Sequence, residues 1–270
     1  VQISHTSEAS PDTAANEDFV IASERFAVVL DGATDSGLPN GCVHGVAWLA
    51  GRLGAQSAAV LVAEPELELR AALRRAIVNT RALHPDCDPT NPNAPSATVA
   101  VARERDGRLD CLVLADAAVV VQHRDGEVTV LTDDRVDRLP AYDRESVSRL
   151  RNVEGGFWVA GAEPAAADQA LTTSLPLAGI RRFLLVSDGV SRLVERFGWG
   201  WRDVLDLVEK QGPAAAVRAV REAERAMPEG SFRGKRHDDA TAAFGTPGPP
   251  PRPGIVRWRP GTTWTRPFAA

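Results

Sequence analysis

The sequence predicts an α+β fold of four layers, an αββα sandwich in which two central antiparallel β-sheets are flanked by helix pairs. Three features carry that expectation. Strand-like apolar runs rich in β-branched residues come in separate sets, at residues 19–30, at 96–132 and at 183–186 with 241–244. Amphipathic stretches of helical period come in succession at 43–83 and again after residue 190. Each set of helices needs a sheet face to bury against, and two sheets between helical layers supply one face to each.

Taken in order, residues 1–10 alternate loosely and read as an edge strand, followed by a loop at 11–15 that delivers Asn16, Glu17 and Asp18 to a strand at 19–22. A tight connection at 23–25 leads to a strand at 26–30, so the two pair antiparallel and carry Glu17 and Asp18 to the same end of the sheet as Asp31. Val46, Leu49, Ala50, Leu53, Val60 and Leu61 fall at helical spacing within 43–63, and a second helix is expected over 65–83 with Pro65 at its start. Residues 84–95, with four prolines, are loop. Strands at 96–103, 108–115, 117–123 and 127–132, with Asp-Gly turns at 106–107 and 125–126, read as a β-meander. Residues 133–168 are polar and short of periodicity, which suggests a lid or flap-like insert rather than core, with a short helix from Pro164. A buried strand at 183–186, helices at 190–197, 201–209 and 213–226, a basic loop at 231–237 and a strand at 241–244 complete one domain over 1–245, and 246–270 is a Pro-rich tail.

Composition narrows the classes of function. The 270 residues are 44% hydrophobic and 25% charged with a net charge of -5, which speaks against a nucleic-acid partner because phosphate-backbone binding demands a basic surface. No segment approaches the roughly 18 uninterrupted apolar residues of a membrane span, and no basic stretch followed by an apolar one opens the chain. A cytoplasmic location and no membrane partner are the corresponding expectations. Cys42, Cys87 and Cys111 are odd in number and lack any Cys-x-x-Cys pairing, so neither a disulfide framework nor a structural zinc site is expected. Cys42 reads as a small buried hydrophobe and His44 as a helix-start histidine bonded to backbone.

The chemistry lies at strand ends. The run Ala27-Val28-Val29-Leu30 stops at Asp31-Gly32, the run Leu184-Leu185-Val186 stops at Ser187-Asp188-Gly189, and Asp238-Asp239 precedes the last strand. Any one Asp-Gly is an ordinary turn pair. Three acidic sites that each abut a strand suggest one shared cation site. Glu17, Asp18, Asp31, Asp188 and Asp238, with the carbonyl of Gly32, offer the oxygen ligands that magnesium or manganese prefers over zinc. Two such ions about 3.5–4 Å apart can activate a water for in-line attack on phosphorus, which points to phosphate-ester hydrolysis.

The ordered set Asn16-Glu17-Asp18, Asp31-Gly32, Ser96-Ala97-Thr98, Ala115-Asp116, Ser187-Asp188-Gly189 and Asp238-Asp239-Ala240-Thr241 resembles the signatures of the metal-dependent protein phosphatases of type 2C, over about residues 1–245. The resemblance implies two Mn2+ or Mg2+ ions with a weaker third. Asp31 would bridge the pair, Gly32 would lend its carbonyl, Glu17 would bind one ion, and Asp188 and Asp238 the other. Asp18 would hold a metal-bound water and act with Asp31 in catalysis, and Asp116 would serve the third ion. The substrate would be a phosphoserine or phosphothreonine protein or a small phosphorylated metabolite.

Three departures accompany the match. Thr13 stands where the family has a phosphate-clamping arginine, and a hydroxyl cannot replace a bidentate guanidinium. Arg233, Lys235, Arg236, His237, Arg192 and His44 are the candidates for gripping phosphate in its place. Arg192 stands where the family often has an aspartate, and Ala115-Asp116-Ala117 keeps only the aspartate of Gly-Asp-Ser. A phosphatase-like binding or regulatory module without turnover is therefore the competing expectation, and the tail is a candidate for contacting a partner.

Overall fold

The computed structural model describes residues 1–13, 15–33, 37–140, 143–228 and 235–248. Ten strands are named in chain order: β1 (Gln2–Glu8), β2 (Phe19–Ala22), β3 (Phe26–Gly32), β4 (Ala97–Arg105), β5 (Arg108–Leu114), β6 (Ala118–His123), β7 (Val128–Leu131), β8 (Leu171–Pro176), β9 (Ile180–Val186) and β10 (Ala240–Thr246). The α-helices are α1 (Val46–Ala63), α2 (Leu69–Arg81), α3 (Arg144–Leu150), α4 (Asp188–Glu195), α5 (Trp201–Gln211) and α6 (Ala214–Ala226). One sheet has the order β1-β10-β9-β6-β7 and the other β2-β3-β4-β5-β8, with every neighbouring pair antiparallel.

The period-2 alternation of the strands builds the layers. In β3, Val28 and Leu30 face α1 and α2, whereas Ala27 and Val29 face the other sheet. In β9, Leu184 and Val186 pack on α4, α5 and α6, and Phe183 and Leu185 join the layer between the sheets. Strands covered on both faces are apolar throughout, which is why β3 and β9 read as continuous runs. The four-layer expectation is met, with three helices rather than a pair on the second face.

Several element expectations change. The meander does not form: β4 and β5 belong to one sheet and β6 and β7 to the other, and the chain crosses between them at Ala115-Asp116-Ala117. Ala115 makes the crossing in a left-handed conformation, φ 65°, unusual for a residue with a β-carbon. Helix α2 begins at Leu69, because Pro65 is used in the turn where the Leu67 N–H donates to the Glu64 carbonyl. β8 is an exposed edge strand that the mixed polar sequence Leu-Thr-Thr-Ser-Leu-Pro conceals. Residues 133–168 are not wholly outside the core, since Val136, Phe157 and Val159 bury with Ala115 in a small cluster and Ala160 pairs with Ala97 of β4.

Two further features fix the helical layers. α1 is long and apolar enough by composition to cross a membrane, yet half of that window is buried, with Leu49, Ala50 and Leu53 packed on the sheet as in a core helix. On the other side the fully buried Arg182 of β9 donates to Gln122 of β6, to the Leu205 carbonyl and to the Asp206 and Glu209 carboxylates of α5. A buried guanidinium needs all its donors satisfied, so this network ties α5 to its sheet.

Candidate metal centre

The register places the acids. Phe19 pairs with Leu30, so Asp18 and Asp31 emerge together at one end of the β2–β3 pair, and Asp31 stands opposite Thr98 of β4. Asp188 begins α4 directly after β9, and its backbone N–H donates to Asp31 Oδ2 at 3.2 Å. The Ser187 hydroxyl donates to Asp18 Oδ2 at 2.8 Å and itself accepts from the Thr241 N–H, linking both sheets at this point. Asp116, at the crossing between sheets, approaches Asp188 and Asp31 closely enough to repel them.

Burial and mutual repulsion raise these acids together. Burial pushes Asp18 up to about 7, with the Thr241 and Ser187 hydroxyls pulling the other way and Asp188 and Asp239 adding repulsion. Burial and the charge of Asp188 push Asp116 up to about 7, and burial with Asp238 pushes Asp188 up to about 6. Asp31 is held well above the carboxylate range by burial and by Asp188, Asp18, Asp116 and Asp238 around it. A divalent cation reverses the sign of that environment, because each carboxylate then faces a positive neighbour. All-oxygen donors suit magnesium or manganese, so the residues fit the ions the resemblance implies.

Two glycines are required by close approach. A β-carbon on Gly32 would lie 2.6 Å from the Glu17 carbonyl oxygen and 2.4 Å from Val46 Cγ1, so the Asn-Glu-Asp loop can lie against the end of β3 only without a side chain there. A β-carbon on Gly189 would lie 1.8 Å from the Asp239 carbonyl oxygen. Backbone cannot swing aside, so Gly189→Ala is expected to lower stability by about 3 kcal/mol. Thermal denaturation reads this, and an unchanged midpoint would show that α4 and the Asp238-Asp239 loop do not depend on that approach.

Asp239, singled out in the sequence only as the second acid of a pair, holds the loop that carries Glu17. Its Oδ1 accepts from the Ser10 N–H at 2.7 Å and its Oδ2 from the Glu17 N–H at 2.6 Å. Asp238 lies beside Asp188 and Asp31 as expected but is already engaged: Arg192 donates to its Oδ2 at 2.6 Å and Lys235 to its Oδ1 at 3.4 Å. Arg192 also pairs with the fully buried Glu224 of α6 at 3.3 Å and lies 3.9 Å from Asp188. Glu224 carries no sequence signal beyond its place on an otherwise apolar helix face.

The other phosphate-gripping candidates have contacts of their own where they are described. Arg236 donates to the carbonyls of Glu224, Arg225 and Met227, satisfying the free C-terminal carbonyls of α6. His237 pairs with Asp12 at 3.0 Å. His44 is not bonded to backbone as a helix-start residue, since its Nδ1 faces the sulfurs of Cys42 and Cys87 at 3.6 and 3.5 Å. Arg233 lies outside the described residues. Thr13 offers no cation and turns its hydroxyl to the Ala15 carbonyl. A cavity of 640 Å³ in the 133–168 segment is lined by Arg135, Arg138, Glu154 and Trp158, but by none of the carboxylates, so it is separate from the cluster.

Comparison with known proteins finds the same fold. The chain aligns along 92% of its length with 99% of a PPM Ser-Thr phosphatase from Mycobacterium smegmatis in complex with cacodylate, at 19% identity and a TM-score of 0.58. It aligns along 90% with 97% of the Mycobacterium tuberculosis serine/threonine phosphatase PstP, at 20% identity and 0.56. A structure of the PstP catalytic domain holds two manganese ions. The serine/threonine phosphatase Stp1 from Staphylococcus aureus shares 12% identity, over 92% of this chain and 95% of that one, with a TM-score of 0.61. These likenesses show the fold. A search of curated proteins gives no match. The family model for protein phosphatase 2C matches residues 7–223, most of the chain and the greater part of the carboxylate cluster, and the chain therefore belongs to the protein phosphatase 2C family.

Proposed function

We propose that this chain is a metal-dependent phosphatase that hydrolyses a phosphate monoester, either on a phosphoserine or phosphothreonine protein or on a small phosphorylated metabolite. The observation that supports this most directly is the convergence of Asp18, Asp31, Asp116 and Asp188 at one end of both sheets, with their pKa values raised by burial and by one another. Asp31, the Gly32 carbonyl, Glu17, Asp188 and Asp238 are the ligands of two Mn2+ or Mg2+ ions in this reading, and Asp116 serves a weaker third. The ions supply Lewis-acid activation of water and charge neutralisation for the ester. Asp18, fixed by the Ser187 hydroxyl, would accept a hydrogen bond from a water at the cluster, and Asp239 holds the Glu17 loop in register. The two-manganese complex of PstP supports the number of ions only by analogy.

With no cation at Thr13, and with Arg236 and His237 engaged elsewhere, substrate grip falls to groups outside the usual clamp. That favours a small phosphorylated metabolite at least as much as a phosphoprotein. Arg135 and Arg138 of the 133–168 segment are themselves paired with Asp133 and Asp134, on a cavity that none of the cluster's carboxylates lines.

A second reading has its own observation. Arg192 neutralises Asp238 from within the protein, as expected of a domain that keeps the fold but binds rather than turns over. Hydrolysis of p-nitrophenyl phosphate, phosphopeptides and a panel of sugar and nucleoside phosphates, with Mn2+ or Mg2+ and with chelator, separates the two. Metal-dependent release of phosphate is the expected result. Tight manganese binding by calorimetry with no turnover on the whole panel would instead establish the binding module.

A further inference from the structure

We propose that Cys42, His44, His84 and Cys87 form a structural zinc site, separate from the carboxylate cluster, that clasps the loop before α1 to the loop after α2. The absence of a Cys-x-x-Cys pair argued against zinc, but the donors are split as Cys42-Val43-His44 and His84-Pro85-Asp86-Cys87. α1 and α2 pack together, so the start of the first and the end of the second meet, and the two half-sites meet with them.

The spacing of the donors suits a tetrahedral ion. One ligand atom from each of the four residues lies within 4.8 Å of all the others. Cys42 Sγ is 3.6 Å from His44 Nδ1 and 3.9 Å from His84 Nδ1, and Cys87 Sγ is 3.5 Å from His44 Nδ1. With Zn–S near 2.3 Å and Zn–N near 2.0 Å, a tetrahedron has sulfur–nitrogen edges of about 3.5 Å. Thiols are weak hydrogen-bonding partners, so these contacts alone give little reason for two imidazoles and two thiols from distant loops to converge. Two thiolates also neutralise one Zn2+, which keeps the half-buried site uncharged.

The surroundings are those of a ligand set. The His44 N–H donates to Cys42 Sγ at 3.4 Å, the kind of backbone hydrogen bond that supports a ligating sulfur. Trp48, in the first turn of α1, stacks on the His44 ring at 4.0 Å and meets the His84 ring at 5.2 Å, covering part of both imidazoles. His84 Nε2 is buried without a hydrogen-bond partner among the described residues, which leaves Nδ1, 3.9 Å from Cys42 Sγ, as the ring nitrogen with a polar contact. The two loops are laced by backbone at the same place: the Asp88 N–H donates to the Gly41 carbonyl at 2.8 Å, and Asn91 donates to the Pro39 carbonyl at 3.1 Å. Sulfur and imidazole donors select zinc, whereas the carboxylate cluster selects magnesium or manganese, so one chain can sort two metals.

The clasp acts on residues 42–44 just before α1 and on residues 84–87 just after α2. Binding releases two thiol protons and changes no oxidation state.

Elemental analysis of the full chain, reduced and desalted after exposure to zinc sulfate, is expected to find about one zinc per chain. Cys42→Ser/Cys87→Ser should hold less than about a tenth of an equivalent and melt about 5 °C lower or more, whereas Asp31→Asn should keep its zinc. Should the double variant fail to fold, mercurial titration of the wild-type thiols must release the zinc in step with two thiols modified. Cobalt substitution should give the thiolate charge-transfer and intense visible bands of a tetrahedral sulfur-ligated ion. A reduced chain that takes up no zinc, or zinc that Asp31→Asn loses and the cysteine variant keeps, would overturn the assignment.

Discussion

Asp31→Asn is expected to lower metal-dependent hydrolysis of an aryl phosphate by at least about a thousandfold, about 4 kcal/mol of barrier, and to make the metal-free protein more stable. The two effects have one cause. Asp31 is the acid most crowded by others, facing Asp188, Asp18, Asp116 and Asp238 from four separate parts of the chain. Its folded-state pKa is raised above the unfolded value, so between the two values the folded chain holds more protons than the unfolded one and stability falls as pH rises. The contribution is fully present below about pH 4 and is lost as pH climbs through the raised value, and Asp18 and Asp116, raised to about 7, add losses of the same sign. An asparagine does not ionise and still accepts the Asp188 N–H through its amide oxygen. Melting curves with chelator should therefore drop less between pH 5 and pH 8 in the variant than in the wild type. Manganese should restore the wild type at pH 8 and leave the variant nearly unmoved. Turnover unchanged in Asp31→Asn would sink the assignment of the centre, whatever the melting curves show.

The parts of this centre legible in the sequence are those where one local pattern does two jobs. A doubly buried strand must be apolar along its whole length and must end abruptly, so an acid at its end stands out, as Asp31 and Asp188 do. The close approaches behind Gly32 and Gly189 were not legible, since an Asp-Gly pair reads as an ordinary turn. The change of sheet at Asp116 was not, because β5 and β6 are buried on both faces and carry no alternation to betray which sheet they join. β8 was hidden by the opposite condition, an exposed edge with polar residues. Nearness in sequence does not set direction for the basic residues before Asp238: Lys235 reaches Asp238, whereas Arg236 turns back to the end of α6 and His237 to Asp12. The Cys and His residues escaped for a topological reason, as their half-sites are joined only once α1 and α2 are paired.

Arg192→Met should be among the most destabilising substitutions in the domain, costing about 3 kcal/mol, because it leaves Glu224 fully buried with a weakened set of partners. Arg221 at 3.0 Å and His237 at 4.0 Å still face that carboxylate, which places the loss at the low end of what breaking a buried ion pair does. Neutralising both partners in Arg192→Met/Glu224→Gln removes the stranded charge, so most of the stability should return, as urea denaturation of the two variants would show. The double variant then asks the functional question cleanly. In the wild type the guanidinium stands 2.6 Å from Asp238 and 3.9 Å from Asp188, competing as an internal cation for ligands that the ions need. Its removal is expected to tighten manganese binding by about tenfold, about 1.4 kcal/mol, measured by calorimetry. A rise in turnover with that affinity would mean that Arg192 restrains a working centre by holding one of its ligands. Tighter binding with turnover still absent would place the defect elsewhere, at the missing cation of Thr13. Manganese affinity unchanged in a folded double variant would reduce Arg192 to a strut between α4 and α6, and would remove the observation that favours a binding module over an enzyme.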